Sequence, residues 1–201
     1  MPLAAANGGS TPSSDRVFKI VAALAGVCLV GFIAFVVTRG PAHHNSPGSA
    51  ALETQPPPTL RVGTVAPLFT LPNLRGGTAV SLSAYRGTPV VLNFFASWCP
   101  DCRQELAAIA TFARRAEGRV AVVGVDANET SEDAAASLLA AAHASYPVGI
   151  DPHADVSTHY LVSALPVTYF LSADGKVVGA ALGPQSVSSL DRWLERLEAD
   201  R

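Results

Sequence analysis

Residues 89–102 have the sequence Pro89-Val90-Val91-Leu92-Asn93-Phe94-Phe95-Ala96-Ser97-Trp98-Cys99-Pro100-Asp101-Cys102. The near-continuous apolar run at 89–95 is typical of a strand that is buried on both faces. Residues 100–116 predict a helix, because apolar side chains recur there at helical spacing. The cysteine pair therefore stands where a buried strand ends and a helix begins. Two cysteines three positions apart can close a small disulfide ring at such a junction without long-range rearrangement of the chain.

The position of Cys99 at a helix N-terminus favours its thiolate form, since unpaired N–H groups and the positive end of the helix dipole lie there. A thiolate is the species that attacks a disulfide. A zinc site would need two more ligands, but the chain has no second cysteine pair, and His143, His153 and His159 lack the close spacing of zinc ligands. We therefore predict redox chemistry and expect no metal and no cofactor. A purely structural disulfide is the alternative.

Glu105 lies on the apolar face of this predicted helix, one turn after Cys102. A carboxyl group there should lose part of its hydration, which would raise its pKa and suit it to exchange a proton with a buried thiol. The alternative is a boundary glutamate that turns to solvent. Asp126 ends a later predicted strand, and we interpret it as an ordinary turn residue.

The rest of the C-terminal region alternates predicted strands and helices, which indicates a central sheet with helices packed on it. The predicted elements are a β-hairpin at 66–71 and 79–82, a strand at 119–125, a helix at 131–143, a second hairpin of strands at 167–171 and 177–182, and a last helix at 188–197.

The composition limits the protein to one domain of ordinary size and an appendage. Of 201 residues, 49% are hydrophobic and 15% are charged, and the formal net charge is −2. A near-neutral chain carries no basic surface for nucleic acid, so we expect no nucleic-acid partner. Ordinary soluble domains carry about 25% charged residues, so the low charge points to a segment with none.

That segment is Ile20–Val37, which has no charged residue and contains Cys28, the third cysteine. With its flanks it reaches the length of about 20 residues that crosses a bilayer; the alternative is a cleaved signal peptide. Arg16 and Lys19 precede the run and Arg39 follows it, which favours a cytoplasmic N-terminus and places the rest of the chain outside the cytoplasm. We divide the chain into a disordered N-terminus at 1–15, a transmembrane helix at 16–39, a Pro/Gly/Ser-rich linker at 40–58 and a folded domain at 59–201.

Four separated motifs resemble the thioredoxin-like superfamily, and more narrowly its membrane-anchored TlpA/ResA-like thiol–disulfide oxidoreductases. They are Gly63-Thr64-Val65-Ala66-Pro67-Leu68-Phe69, Leu82-Ser83-Ala84-Tyr85-Arg86-Gly87, Trp98-Cys99-Pro100-Asp101-Cys102 and Leu165-Pro166-Val167-Thr168-Tyr169-Phe170-Leu171. The resemblance covers roughly residues 60–200. It implies an α/β thioredoxin-like fold, in which a central mixed sheet is flanked by helices, with an N-terminal β-hairpin and a central helix/strand insertion near 131–150.

The resemblance also implies roles for particular residues. Cys99 would be the exposed nucleophile and Cys102 the resolving cysteine, and the family carries a functional glutamate at the offset of Glu105. Thioredoxin has a buried aspartate where this chain has Asn93, which cannot titrate, so a proton relay would depend on Glu105 or on water.

A cis-proline beside the redox pair is a further family feature, and Pro166 occupies its position. We expect a cis Leu165–Pro166 bond and a substrate-binding surface formed by Trp98, Pro100, Leu165 and Pro166. A simple proline at a strand start, and a core position for Trp98, are the alternatives.

These features predict a membrane-embedded thiol–disulfide oxidoreductase that reduces protein disulfides outside the cytoplasm. The family suggests cytochrome c maturation, with protein substrates that carry disulfides or dithiols and a membrane thiol partner that supplies electrons. The alternatives are a disulfide-forming oxidase, a peroxiredoxin-like peroxidase and a non-enzymatic structural module. The peroxidase needs a lone cysteine in a Pro-x-x-x-Thr/Ser-x-x-Cys setting, which residues 96–99 do not supply.

Overall fold

The computed structural model describes residues 58–129 and 131–199. The predicted N-terminus at 1–15, the predicted transmembrane helix at 16–39 and almost all of the predicted linker at 40–58 lie outside these ranges. Among the helices of the described ranges, none has the length and apolar character needed to cross a membrane.

Two sheets are present in the described residues. The small one is an antiparallel pair, β1 (Thr70–Leu71) and β2 (Val80–Ser81), which confirms the N-terminal hairpin at a shorter length than expected. The large one has the strand order β5-β4-β3-β6-β7. Its strands are β3 (Val90–Phe95), β4 (Ala121–Ala127), β5 (Val148–Asp151), β6 (Val167–Leu171) and β7 (Val177–Leu182).

The large sheet is mixed, as a thioredoxin-like fold requires. Strand β4 runs parallel to both β3 and β5, whereas β6 is antiparallel to both β3 and β7. Strand β4 begins and ends two residues later than predicted. The last two strands have their predicted bounds, because the turn at 173–176 fixes where each one ends.

The helices are α1 (Pro100–Arg115), α2 (Glu132–Ala141), α3 (Asp155–His159) and α4 (Val187–Ala199), and a short 3₁₀ turn spans Leu82–Tyr85. Helix α2 and strand β5 form the expected central insertion. Helix α3 and the 3₁₀ turn were not predicted, because four or five residues are too few to show a helical period.

The sheet is covered on both faces. Alternate strand residues, such as Val91 and Phe95, pack with α1 and α4 in one apolar cluster. The intervening residues, such as Leu92 and Phe94, pack with the N-terminal hairpin and Tyr160 in a second cluster. All six residues of β3 are buried, which explains the continuous apolar run.

Candidate functional site

Cys99 and Cys102 form a disulfide at the N-terminus of α1, with their Cα atoms 5.3 Å apart. Cys99 is the N-cap residue, and the backbone N–H of Cys102 donates a hydrogen bond to its Sγ at 3.1 Å. Pro100 is the first residue of the helix, where its missing N–H costs no hydrogen bond. The same N–H group and the helix dipole would stabilise negative charge on Cys99 once the disulfide is reduced.

The expected exposure of Cys99 is wrong for this disulfide form. Cys99 is only 4% exposed and Cys102 is fully buried, because both belong to the cluster between the sheet and α1. The two residues that flank Cys99 in sequence, Trp98 and Pro100, are both exposed.

The segment between β3 and α1 is held by three hydrogen bonds from different parts of the chain. Ser97 N–H donates to Glu129 Oε2 at 2.6 Å, and Arg103 Nε donates to the Ser97 carbonyl at 2.8 Å. Trp98 Nε1 donates to the carbonyl of Asn128 at 3.2 Å, while its ring is 51% exposed. The alternative of a core aromatic is therefore wrong for Trp98, which lies on the surface beside the disulfide.

The Leu165–Pro166 peptide bond is cis, as predicted. Strand β6 begins directly after it, and Val167 pairs with Phe94 near the end of β3. The antiparallel pairing thus carries Pro166 to the same end of the sheet as the cysteines. A groove next to this turn is lined by Trp98, Asn128, Ser157, Val162, Ala164 and Leu165. Trp98 and Leu165 thus line one groove, whereas Pro166 is buried and Pro100 lies exposed at the start of α1.

Glu105 is 1% exposed, so the alternative of a solvent-facing glutamate is wrong. Its Oε1 accepts a hydrogen bond from Asn93 Nδ2 at 2.7 Å, and its Oε2 accepts one from the backbone N–H of Gln185 at 2.9 Å. Burial raises the pKa of Glu105 to about 7; the two hydrogen bonds oppose that rise, and the charge of Asp101 adds to it. A carboxyl group that titrates near neutral pH, one helical turn from Cys102, can accept or return a thiol proton.

Asp126 is a buried carboxyl group that the sequence interpretation missed. It is fully buried at the end of β4, and neither of its side-chain oxygens has a hydrogen-bond partner. Its pKa is raised to about 7, mainly by burial and also by the charges of Glu129 and Glu132. The alternation of β4 could have revealed this burial, because Val122, Gly124 and Asp126 share one face of the strand.

No group of three or more histidine, cysteine, aspartate or glutamate side chains in the described ranges is arranged to hold a metal ion.

Comparison with known proteins identifies the family of this chain. A model of the AhpC/TSA family matches residues 62–180. A thiol-disulfide oxidoreductase ResA of Bacillus cereus is 30% identical over 139 residues, which cover 69% of this chain and 79% of that protein. The chain belongs to the AhpC/TSA family and is a ResA-like thiol–disulfide oxidoreductase.

Two further relatives agree with this ResA-like assignment. The thiol:disulfide interchange protein CycY of Rhizobium leguminosarum bv. viciae is 29% identical over 116 residues, which cover 58% of this chain and 61% of that protein. The structure of a Chlorobium tepidum protein assigned as thiol:disulfide interchange protein DsbE has a TM-score of 0.63 at 28% identity, and the match covers 69% of this chain and 99% of that one.

Proposed function

We propose that this ResA-like protein is tethered to the membrane by residues 16–39 and reduces protein disulfides outside the cytoplasm. Its substrates would include the haem-attachment cysteines of apocytochrome c, and a membrane thiol partner would return it to the dithiol form. The observation that carries the proposal is the Cys99–Cys102 disulfide at the start of α1, with the buried carboxyl group of Glu105 one turn away.

The charges around the pair support the reducing direction. A strong thiol oxidant, such as DsbA, has a reduced form that is stabilised as a thiolate. Here Asp101 lies in the first turn of α1 and Glu105 in the second, and both carry negative charge when ionised. These charges oppose the thiolate, which disfavours a strongly oxidising pair.

Reduction of a substrate disulfide proceeds by two consecutive displacements. The Cys99 thiolate attacks one sulfur of the substrate disulfide, so that a mixed disulfide forms and the other substrate sulfur leaves as a thiolate. Glu105 then takes the proton of the Cys102 thiol, and the Cys102 thiolate attacks Cys99 Sγ. The Cys99–Cys102 disulfide forms, the second substrate sulfur leaves, and two electrons have passed to the substrate. A dithiol of the membrane partner reverses the same steps on this chain.

The substrate would bind as an extended segment. We assign its backbone to Leu165, beside the cis-proline Pro166, and its side chains to the surface of Trp98, Pro100 and the adjoining groove. The half-exposed indole and the groove can hold an apolar side chain next to the substrate cysteine.

A trapping experiment tests this function. Cys102→Ser removes the resolving thiol, so we expect the variant to accumulate mixed disulfides with envelope proteins, which mass spectrometry can identify. Cys99→Ser, the matched control, should trap none. Recovery of the same partners with both variants, or of no partner with either, would contradict the proposed function.

The reduction potential of the Cys99–Cys102 pair tests its direction. For a reductase we expect a value near that of thioredoxin, about −270 mV, measured by equilibration with thiol buffers of defined ratio. A value close to that of DsbA, about −120 mV, would show instead that the protein forms disulfides.

A further inference from the structure

Asn93 occupies the centre of β3, where every other residue is apolar and all six are buried. Its backbone belongs to the sheet, with Gly124 of β4 on one side and Thr168 of β6 on the other. Strand pairing uses only the backbone, so it does not require a polar side chain there. Burial of an amide costs free energy unless its polar atoms are hydrogen-bonded. The contacts of the amide therefore indicate what the side chain does.

The side-chain amide uses both of its donors and leaves its acceptor unused. Asn93 Nδ2 donates to Glu105 Oε1 at 2.7 Å and to Thr168 Oγ1 at 3.1 Å, while Oδ1 is buried without a partner. An ionised carboxylate has acceptors only, whereas a protonated carboxyl group also needs an acceptor for its own hydrogen. The observed arrangement thus matches an ionised Glu105.

We propose that Asn93 is a positioning residue that holds the Glu105 carboxyl group and favours its ionised form, so that Glu105 can take the proton of Cys102. This role rests on the proposed function, and it extends that function to a fully buried residue of the sheet, which acts through Glu105. The shorter hydrogen bond fixes Oε1 against the sheet. The Gln185 N–H at 2.9 Å fixes Oε2 from the loop before α4.

The pKa of Glu105 is set by opposing influences, and the Asn93 amide is one of those that lower it. The net result is a pKa raised to about 7, in which burial is the largest influence and the charge of Asp101 on the same helix acts in the same direction. The hydrogen bonds from Asn93 and Gln185 are the opposing influences. Among described residues, the other titratable side chain that interacts with Glu105 is Tyr146, before β5, whose pKa is raised mainly by burial. Without the amide, Glu105 would keep its proton through neutral pH and could not act as a base.

Asn93→Leu tests the role, because leucine has a similar size and no hydrogen-bonding group. In the full chain we expect the pH midpoint of single-turnover exchange with a disulfide peptide to rise by about one unit or more, with about tenfold slower exchange at pH 7. The rate should recover at pH 9. Thr168→Val is the matched control, since it removes the second partner of the amide and leaves the Asn93–Glu105 hydrogen bond. It should leave the midpoint unchanged.

A double variant separates this role from a structural one. In a Glu105→Gln background, Asn93→Leu should leave the pH profile as it is in Glu105→Gln alone, because no carboxyl group remains to position. A further change of the profile in that background would overturn the proposal. So would an Asn93→Leu protein that loses stability but keeps the wild-type midpoint.

Asn93→Asp keeps the size of the side chain and serves if the leucine variant fails to fold. It places a second carboxyl group in hydrogen-bond contact with Glu105, so the two groups share a proton and titrate in two steps. We expect one carboxyl signal above the wild-type midpoint in infrared titration of the oxidised chain, and an unshifted signal would overturn the proposal. This titration reports on the carboxyl groups alone and needs no turnover. The proposed function fails if exchange survives Cys99→Ser, whereas the role of Asn93 fails if the carboxyl signal is unshifted. The two failures are therefore distinguishable.

Discussion

The environment of Glu105 is set by its burial, which depends on its position in α1, and by a hydrogen bond from a residue far away in sequence. Its burial was predictable, because the helical period of α1 places it on the apolar face with Cys102. Its hydrogen bond from Gln185 was not, because 80 positions separate the two residues and only the packing of α4 against α1 brings that N–H group close. The sequence therefore identified the carboxyl group but not the contacts that tune it.

Glu105→Gln should slow the resolution of the mixed disulfide by about 100-fold, since a positioned general base contributes about that much. The pKa of about 7 predicts that the wild-type rate rises with pH through neutrality, as the carboxyl group loses its proton. The variant should lose this inflection. Stopped-flow measurements between pH 5 and 9 check the result, with Glu117→Gln, at an exposed position of the same region, as the control. An inflection that persists in Glu105→Gln would mean that another group provides the base.

Asp126→Asn should stabilise the fold, and more so at high pH. The folded-state pKa of Asp126 is raised from 3.8 to about 7, so the native state binds the proton more tightly than the unfolded state does. Stability therefore falls as the pH rises from about 4 to about 7. Asparagine cannot ionise, so we expect a gain of about 1–3 kcal/mol at pH 8 and little gain at pH 4.

Urea unfolding of the full chain at the two pH values measures this difference, and Asp133→Asn, at an exposed position of α2, is the matched control. Equal effects of Asp126→Asn at pH 4 and pH 8 would show that ionisation of this carboxyl group does not limit stability.

At the scale of elements, the helices and strands with a strong apolar pattern could be predicted from the sequence, whereas the short ones could not. The buried run of β3, the amphipathic α1 and the hairpin of β6 and β7 all lie within one or two residues of their predicted bounds. Helix α3 escaped prediction because its five residues are too few to show a helical period, and a side chain from the preceding strand caps its start. Asp151, at the end of β5, accepts hydrogen bonds from the N–H groups of Val156 and Ser157, at 3.2 and 2.8 Å.

The packing of α4 on the sheet depends on Gly179 in β7. The indole of Trp193 lies against this glycine and stacks on Phe170, with ring centroids 4.1 Å apart. A Cβ atom at position 179 would collide with the indole. We expect Gly179→Ala to lower the free energy of unfolding by about 1–3 kcal/mol, measured by urea unfolding.

Trp193→Leu provides the control for this collision. In that background Gly179→Ala should cost much less, because the ring it strikes is gone and alanine restricts the unfolded chain. If the cost is the same in both backgrounds, the loss must come from β7 itself and not from its contact with α4.

At the scale of the whole molecule, the division into a membrane tether, a linker and a folded domain is a prediction from the sequence, and the described residues belong to the predicted folded domain. The apolar run at 20–37 is the basis for a membrane tether. We expect the full chain to stay in the membrane fraction after alkaline extraction, and a chain that lacks residues 1–39 to be released. Release of the full chain would contradict the tether.

Labelling of single introduced cysteines measures the orientation of the tether in the membrane. With all native cysteines replaced by serine, Ser46→Cys should react with a membrane-impermeant maleimide in intact cells, because the linker is expected outside the cytoplasm. Ser13→Cys, on the other side of the run, should react only after the cells are opened. The reverse pattern would place the domain in the cytoplasm.

The two tryptophans of the chain lie in contrasting places. Trp98 is half exposed and adjoins Cys99 in sequence, whereas Trp193 is stacked on Phe170 between α4 and the sheet. A disulfide quenches the emission of a neighbouring indole, so reduction of the pair should brighten Trp98 and leave Trp193 unchanged. The protein therefore contains its own optical indicator of redox state, with a second emitter that serves as an internal reference.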